Sequence, residues 1–254
     1  MAGMLAQNIC VPAYAADYVV STNSSSFRDD VTSIIQGGDT LTILNNGYVS
    51  GIAVSAVSGK ITVNGGRADY ISVYGGMSSG AYMGGIYDIK GGSAFNTYIY
   101  GGVMYVSGSA DYAYISSGGT IAVYGGTANE AVVDIGGTMT VSGGNANIAW
   151  VFSGGTMTVS GGEAHSAIVS GNMEVSGGQA NSARVSSGGS MTVYGGEANN
   201  AEVYNSGTMT VYGGEANSAT VSSGGTFAVH GGTASSARTT WRNTLKPKAY
   251  RRRK

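Results

Sequence analysis

Few residues in this chain have the chemistry for catalysis. Glu197 and Glu215 recur at an interval of 18 residues, and His165 and His230 supply the two imidazoles. A pair of carboxylates, or a carboxylate beside an imidazole, equips a protein for glycosidic-bond cleavage or general acid–base work, provided the groups converge on a groove that holds the substrate. The carboxylate does not persist along its repeat: the equivalent positions upstream of Glu215 and Glu197 are Gln179, Glu163, Asn145 and Thr127. The histidines fall in different columns of the repeat, with no carboxylate expected in register beside either. Cys10 stands alone, which gives neither a disulfide framework nor a metal-ligand spacing. The Gly-Gly-x-Gly-x-Asp pattern of calcium-binding solenoids is also missing, since no repeat supplies the aspartate. The chain is therefore read as a non-enzyme, with no cofactor and no metal.

The elements that would position any site are written in the repeats. The second glycine of the pair that opens each unit, or its substitute, falls at Gly119, Gly137, Gly155, Gly171, Gly189, Gly207 and Gly225, in steps of 18, 18, 16, 18, 18 and 18 residues. Inside a unit, apolar and polar residues alternate, as in Met139 and Val141 against Thr138, Thr140 and Ser142, which is the period of a strand with one buried face. A unit this short cannot bury that face alone, so each copy must stack on the next. The expected fold is all-β: a single-chain parallel β-helix, or β-solenoid, of about ten rungs with 16–18-residue repeats.

The expected core follows column by column. Met139, Met157, Met173, Met191, Met209 and Phe227 point inward, backed by Val141 through Val229, with Val133 through Val221 as a second buried column and Ala146 through Ala234 as small residues beside the corners. Gly143-Gly144 and its equivalents are expected to supply backbone angles that side chains forbid. Upstream the period drifts, and Met77 to Gly84 is too short for a rung, so it reads as half a turn or a bulge.

With 44 glycines but only 2 prolines, and 42% apolar residues, the composition fits a long thin core and excludes collagen and disorder. No apolar run is long enough for a membrane span. Ala13-Tyr14-Ala15 before Ala16-Asp17 has the small-x-small pattern of a signal-peptidase site. Residues 1–16 are accordingly read as a clipped signal peptide, 17–36 as an N-terminal cap, 37–240 as the solenoid and 241–254 as a basic, disordered tail. That tail holds seven of the thirteen Lys and Arg residues, which leaves six basic against fourteen acidic residues in the body. The body's charge argues against nucleic acid as a partner. The tail reads either as a contact for nucleic acid, anionic lipid or an acidic surface or, the preferred reading, as the result of a frame change or early end after the last repeat.

The units Gly154 to Gly162 and Gly213 to Ser223, read together as Gly-Gly-Thr-Met-Thr-Val-Ser-Gly-Gly-x-Ala-Asn-Ser-Ala-x-Val-Ser-Ser, resemble the passenger repeats of AIDA-type autotransporter adhesins, strongly over about 120 residues and loosely over another 80. The resemblance implies a parallel β-helix exported to the bacterial surface or secreted, active in adhesion, self-aggregation and biofilm formation. It also implies partners: the chain itself, host or bacterial surface molecules, and a heptosyltransferase that modifies repeat serines, for which Ser186, Ser187, Ser222 and Ser223 are the first candidates. The family's translocator barrel has no counterpart in the 14 residues after the last repeat. A passenger fragment, a truncated gene and a secreted relative are the three readings of that departure.

A solenoid repeats each outward residue on every rung, so weak contacts multiply along the rod. The expected self-association face comprises Thr138, Thr140, Thr156, Thr158, Thr208 and Thr210, with Asn181, Asn199 and Asn217 at a corner. The asparagines are expected to satisfy their own turns. Tyr74, Tyr100, Tyr124, Tyr194 and Tyr212 are expected to pack as one cross-rung column. The alternatives are an inert spacer, a polysaccharide-active β-helix enzyme, and an ice-binding solenoid whose Thr-x-Thr array would be interrupted at Ala122, Glu174 and Ala228.

Overall fold

The computed structural model describes residues 17–20, 34–35, 40–44, 47–51, 53–54, 60–65, 67–78, 81–84, 86–186 and 188–240. The expected signal peptide, the basic tail and Ser187 lie outside the described residues. The rest is the expected all-β parallel solenoid, with each rung winding through three short strands. In one rung these are Ser190–Val193 on a first face, Glu197–Asn199 on a second and Glu202–Val203 on a third. The first face is a sheet of twelve strands, from Asp17–Val20, which pairs in parallel with Thr40–Ile43, to Thr226–Val229. At the usual strand spacing, a stack of twelve is about 53 Å long.

The period-2 alternation dictates burial. Along Thr138–Val141, Thr156–Val159 and Thr208–Val211 the threonines are half-buried while methionine and valine are buried. Register then stacks like on like: Met139 on Met157, Met157 on Met173, Met173 on Met191 and Met191 on Met209. Val133, Val151, Val169, Val185, Val203 and Val221 form the second buried column, and Ala146, Ala164, Ala180, Ala198 and Ala216 the small one. A further buried alanine column, Ala131, Ala149, Ala167, Ala183, Ala201 and Ala219, lines the corner between the second and third faces. The last rung departs from expectation. Phe227 is only half-buried, Val229 is 43% exposed and Ala234 is exposed, because no described rung lies beyond them.

One rung near the start carries polar groups into the core. Tyr87 occupies the inward position taken by Ile61 and Met104 in its neighbours, and Thr97 occupies that of Ala113. Both are buried. Burial pushes the Tyr87 phenol far above the ordinary tyrosine range, so it stays protonated. The segment expected as half a turn or a bulge instead takes part in both strands of a hairpin: Ser72–Ser78 pairs antiparallel with Ala81–Gly84, Met77 opposite Tyr82.

The corner between the second and third faces is made without glycine. Glu130, Ile148, Ser166, Ser182, Asn200 and Ser218 all take φ between +52° and +59°. This left-handed step reverses the direction of the peptide, so that Asn200 N–H donates to Asn217 O on the next rung at 2.8 Å, whereas Glu202 N–H donates to Ala183 O on the previous one at 2.8 Å.

The two glycine pairs have different roles. Gly136, Gly154 and Gly188, at the corner between the third and first faces, take positive φ of +73°, +85° and +83°. Gly143-Gly144 and its equivalents were expected to do the same; neither Gly143 nor Gly144 takes positive φ, whereas the equivalent Gly214 does, at +76°. A Cβ on Gly144 would lie 2.3 Å from Gly126 O and 2.7 Å from Val123 Cγ1, so that pair is glycine because successive rungs touch there, backbone on backbone.

Candidate functional site

The outer surface carries its chemistry as ladders. On the first face, Thr138 stands beside Thr156 and Thr140 beside Thr158, all half-buried. The next rung presents Asn172 and Glu174, and hydroxyls resume with Ser190 and Thr192, then Thr208 and Thr210. The structure therefore brings the first four threonines together and sets Thr208 and Thr210 in a separate block.

The asparagines satisfy one another across rungs instead of capping their own turns. Asn147 Nδ2 donates to Asn129 Oδ1 at 2.8 Å, Asn199 Nδ2 to Asn181 Oδ1 at 3.1 Å and Asn217 Nδ2 to Asn199 Oδ1 at 3.1 Å. They lie at the end of the second-face strand, where parallel in-register stacking puts identical amides one strand spacing apart.

The tyrosines divide between two corners, which corrects the single column. Tyr-Gly-Gly at Tyr100 follows the third face, whereas at Tyr124, Tyr194 and Tyr212 it follows the first. Tyr194 and Tyr212 stack with ring centroids 5.4 Å apart, and Tyr212 stacks on His230 at 5.0 Å. Tyr124 stacks on Tyr105 at 5.9 Å. Tyr100 instead joins Tyr98 and Tyr114, with centroids 6.2–6.4 Å apart.

Of the catalytic candidates, Glu197 and Glu215 are in register one rung apart. In register His165 stands between Asn147 and Asn181, with no carboxylate, as expected; along its own strand its Nε2 lies 3.0 Å from Glu163 Oε2. The two are next-but-one on the same strand, so alternation brings both to the outer surface, and no loop there builds a groove. The described residues contain no group of three or more His, Cys, Asp or Glu side chains placed to hold a metal ion. No helix among them is long and apolar enough to cross a membrane. Ser186, Ser222 and Ser223 lie at the corner after the third face, where Ser186 O and Ser222 O accept the turn bonds from Gly189 and Gly225.

The third face shows what the repeat consensus concealed. Its outward position is the x of Ala-x-Val, which reads Tyr98, Tyr114, Val132, Trp150 and Ile168 on successive rungs before turning to Arg184, Glu202, Thr220 and Arg238. Arg184 Nε pairs with Glu202 Oε2 at 3.2 Å. The Tyr114 hydroxyl donates to Asp134, whose other oxygen takes the Ile135 N–H at 2.8 Å; these two bonds hold the Asp134 carboxyl below its ordinary value. The signal was available in sequence by reading the variable position down the repeats.

The fold defines the class: a parallel β-solenoid whose described outer faces carry ladders of repeated side chains. Among solved structures it is similar to the crystal structure of a TibA fragment, residues 55–350, hyper-glycosylated by TibC, with TM-score 0.68 and 26% identity over 89% of this chain and 93% of the fragment. No protein-family model and no curated protein matches the chain.

Proposed function

We propose that the chain is the passenger module of an AIDA-type adhesin, displayed on a bacterial surface or secreted, which acts by contacts repeated along the rod. The observation that carries this reading is the likeness to the TibA fragment over 89% of the chain, together with outward ladders that repeat without a groove. The Thr138, Thr140, Thr156 and Thr158 block, with Thr208 and Thr210 further along, presents hydroxyls at strand spacing to polar surface molecules of a host or another bacterium. Each contact is weak, and their linkage supplies the avidity. Asn181, Asn199 and Asn217 lie apart from that surface, beside the corner between the second and third faces, with their amides already bonded to one another. The hyper-glycosylated state of the TibA fragment supports a heptosyltransferase as a second partner, acting on Ser186, Ser187, Ser222 or Ser223.

The test is retention of protein-coated beads on a layer of cultured epithelial cells under flow. Coated beads are retained several-fold over albumin-coated ones, and replacing Thr156, Thr158, Thr208 and Thr210 with Lys reduces retention without lowering the melting temperature. Retention equal to albumin removes the adhesive reading. Retention that survives the four lysines removes the threonine face from it.

A further inference from the structure

The third face carries a strip of rings through an acidic stretch of the rod. Its outward column reads Tyr98, Tyr114, Val132, Trp150 and Ile168 on successive rungs, with Tyr98 40% exposed and the other four half-buried. Tyr100 joins Tyr98 and Tyr114 in a triangle of rings with centroids 6.2–6.4 Å apart, and Phe152, 46% exposed, stands just beyond the Trp150 strand. Two carboxylates flank the column on one rung: Glu130 at the corner before the third face and Asp134 at the corner after it, both half-buried. Glu130 lies close enough to Tyr112 to raise that phenol above its ordinary range. Asp134 accepts from the Tyr114 hydroxyl and the Ile135 N–H, and with two lone pairs on each oxygen it keeps room for a further donor.

From residue 91 to residue 183 the chain has no Lys or Arg, against Asp111, Glu130, Asp134, Glu163 and Glu174, so the field over the strip is negative. The first face of the same rungs is apolar as well, at Ile86, Val103, Tyr105 and Ala122, but its carboxylate, Asp88, lies 3.6 Å from both Lys60 and Lys90, whose cations cancel it. The third face alone joins several rings to carboxylates that no Lys or Arg of the described residues neutralises.

We propose that this strip binds an extended β-1,4-linked amino-sugar chain with free amino groups, lying along the rod. This deepens the adhesive reading by naming the chemical class of surface molecule, and it rests on that reading only for its biological setting. The first argument is pitch. A β-1,4-linked sugar advances its chain by about 5 Å and a rung advances the rod by about 4.8 Å, so sugars and rungs stay in step along the strip. The second is shape. The C–H faces of a pyranose pack on aromatic rings, and Tyr114 and Trp150, two rungs apart, fall beneath alternate sugars.

The third argument is charge. Successive sugars of such a chain are turned over by half a turn, so their 2-amino groups alternate between the two edges of the ribbon. Glu130 and Asp134 stand on opposite sides of the column, so each edge meets a carboxylate, and a protonated amine beside the rings gains a cation–π attraction as well. An extended basic peptide has the charge but repeats its side chains on one face at about 6.8 Å, out of step with the rungs.

Isothermal titration calorimetry of the full chain with a glucosamine pentamer, at about pH 6 where both carboxylates are ionised and the amines largely protonated, gives saturable binding. In a Trp241→Phe background Trp150 is the only tryptophan, and its emission shifts as the pentamer binds. Trp150→Leu weakens binding by about tenfold or more. Glu130→Gln combined with Asp134→Asn weakens it several-fold, as does acetylating the pentamer's amines, whereas Tyr194→Leu, at the first-face corner, leaves it unchanged. Circular dichroism and melting temperature verify that each variant is folded, and the Trp150 emission serves as the test without any change at the site. No saturable binding at millimolar pentamer, an unshifted Trp150 emission, or a folded Trp150→Leu variant that binds normally overturns the proposal. So does an acetylated pentamer, or pentalysine, that binds as tightly as the free amine. A protein that takes no sugar while its beads still adhere to cells loses this site and keeps the adhesive reading; one that takes the sugar while its beads fall to the albumin level keeps the site and loses that reading.

Discussion

Glu197 stands directly beside Glu215 on the adjacent rung, and each carboxylate takes an amide hydrogen from the asparagine two residues on, Asn199 to Glu197 at 3.2 Å and Asn217 to Glu215 at 3.5 Å. Two like charges are thus held in register by the same stacking that aligns the amides. The arrangement is a consequence of repetition.

Like charges directly opposite on neighbouring strands cost from a few tenths to about 1 kcal/mol. Glu215→Gln keeps the acceptor for Asn217 and removes the repulsion, so it stabilises the solenoid by about 0.5 kcal/mol in low salt. In half-molar salt, where the screening length falls to about 4 Å, the gain shrinks. Urea unfolding at the two ionic strengths measures it, and a gain that ignores salt would assign the effect to something other than charge.

The glycine pairs make a sharper contrast. A Cβ on Gly196 would lie 2.2 Å from Gly178 O, whereas one on Gly188, at φ +83°, would have nothing within 4 Å. Gly188→Ala costs about 1 kcal/mol, the conformational term alone. Gly196→Ala forces two backbones apart and costs about 3 kcal/mol or more. Equal costs by chemical denaturation would mean that the rungs do not touch at that corner.

Asp134 sets the sign of an acid effect. The Tyr114 hydroxyl and the Ile135 N–H lower its pKa in the folded state, so its contribution to stability is present above the unfolded value of about 3.9 and is lost as pH falls through the lower folded value. Tyr114→Phe moves the Asp134 pKa up toward the ordinary carboxylate range and flattens that limb of the stability curve. The bond to Asp134 raises the Tyr114 pKa in turn, so its contribution is complete below about pH 10 and is lost as pH rises through the higher folded value. Carboxyl carbon shifts of Asp134 followed by NMR test the pair, and an unaltered titration in Tyr114→Phe contradicts it.

The core was legible because two periods coincide. The alternation of Met139 and Val141 with threonine says which side is buried, and the 18-residue interval says what each residue stacks on, so Met157 on Met139 needed no coordinates. Sequence did not say which corner a Tyr-Gly-Gly occupies, and Tyr100 and Tyr124 were merged although one follows the third face and the other the first. Nor did it separate a glycine needed for its φ, such as Gly136, from one needed for its missing Cβ, such as Gly144, since both are written Gly-Gly.

From the residues alone, then, came the coil, its parallel strands and its inward columns, since these depend only on local period and on a repeat length that hardly varies. The amide ladder through Asn181, Asn199 and Asn217, the left-handed corner at Asn200 and the apolar stripe from Tyr98 to Ile168 were decided in three dimensions. Each depends on how residues some 18 positions apart come to lie one strand spacing from each other. That distance is fixed by the closing of three faces into a rung, and no single stretch of chain contains it.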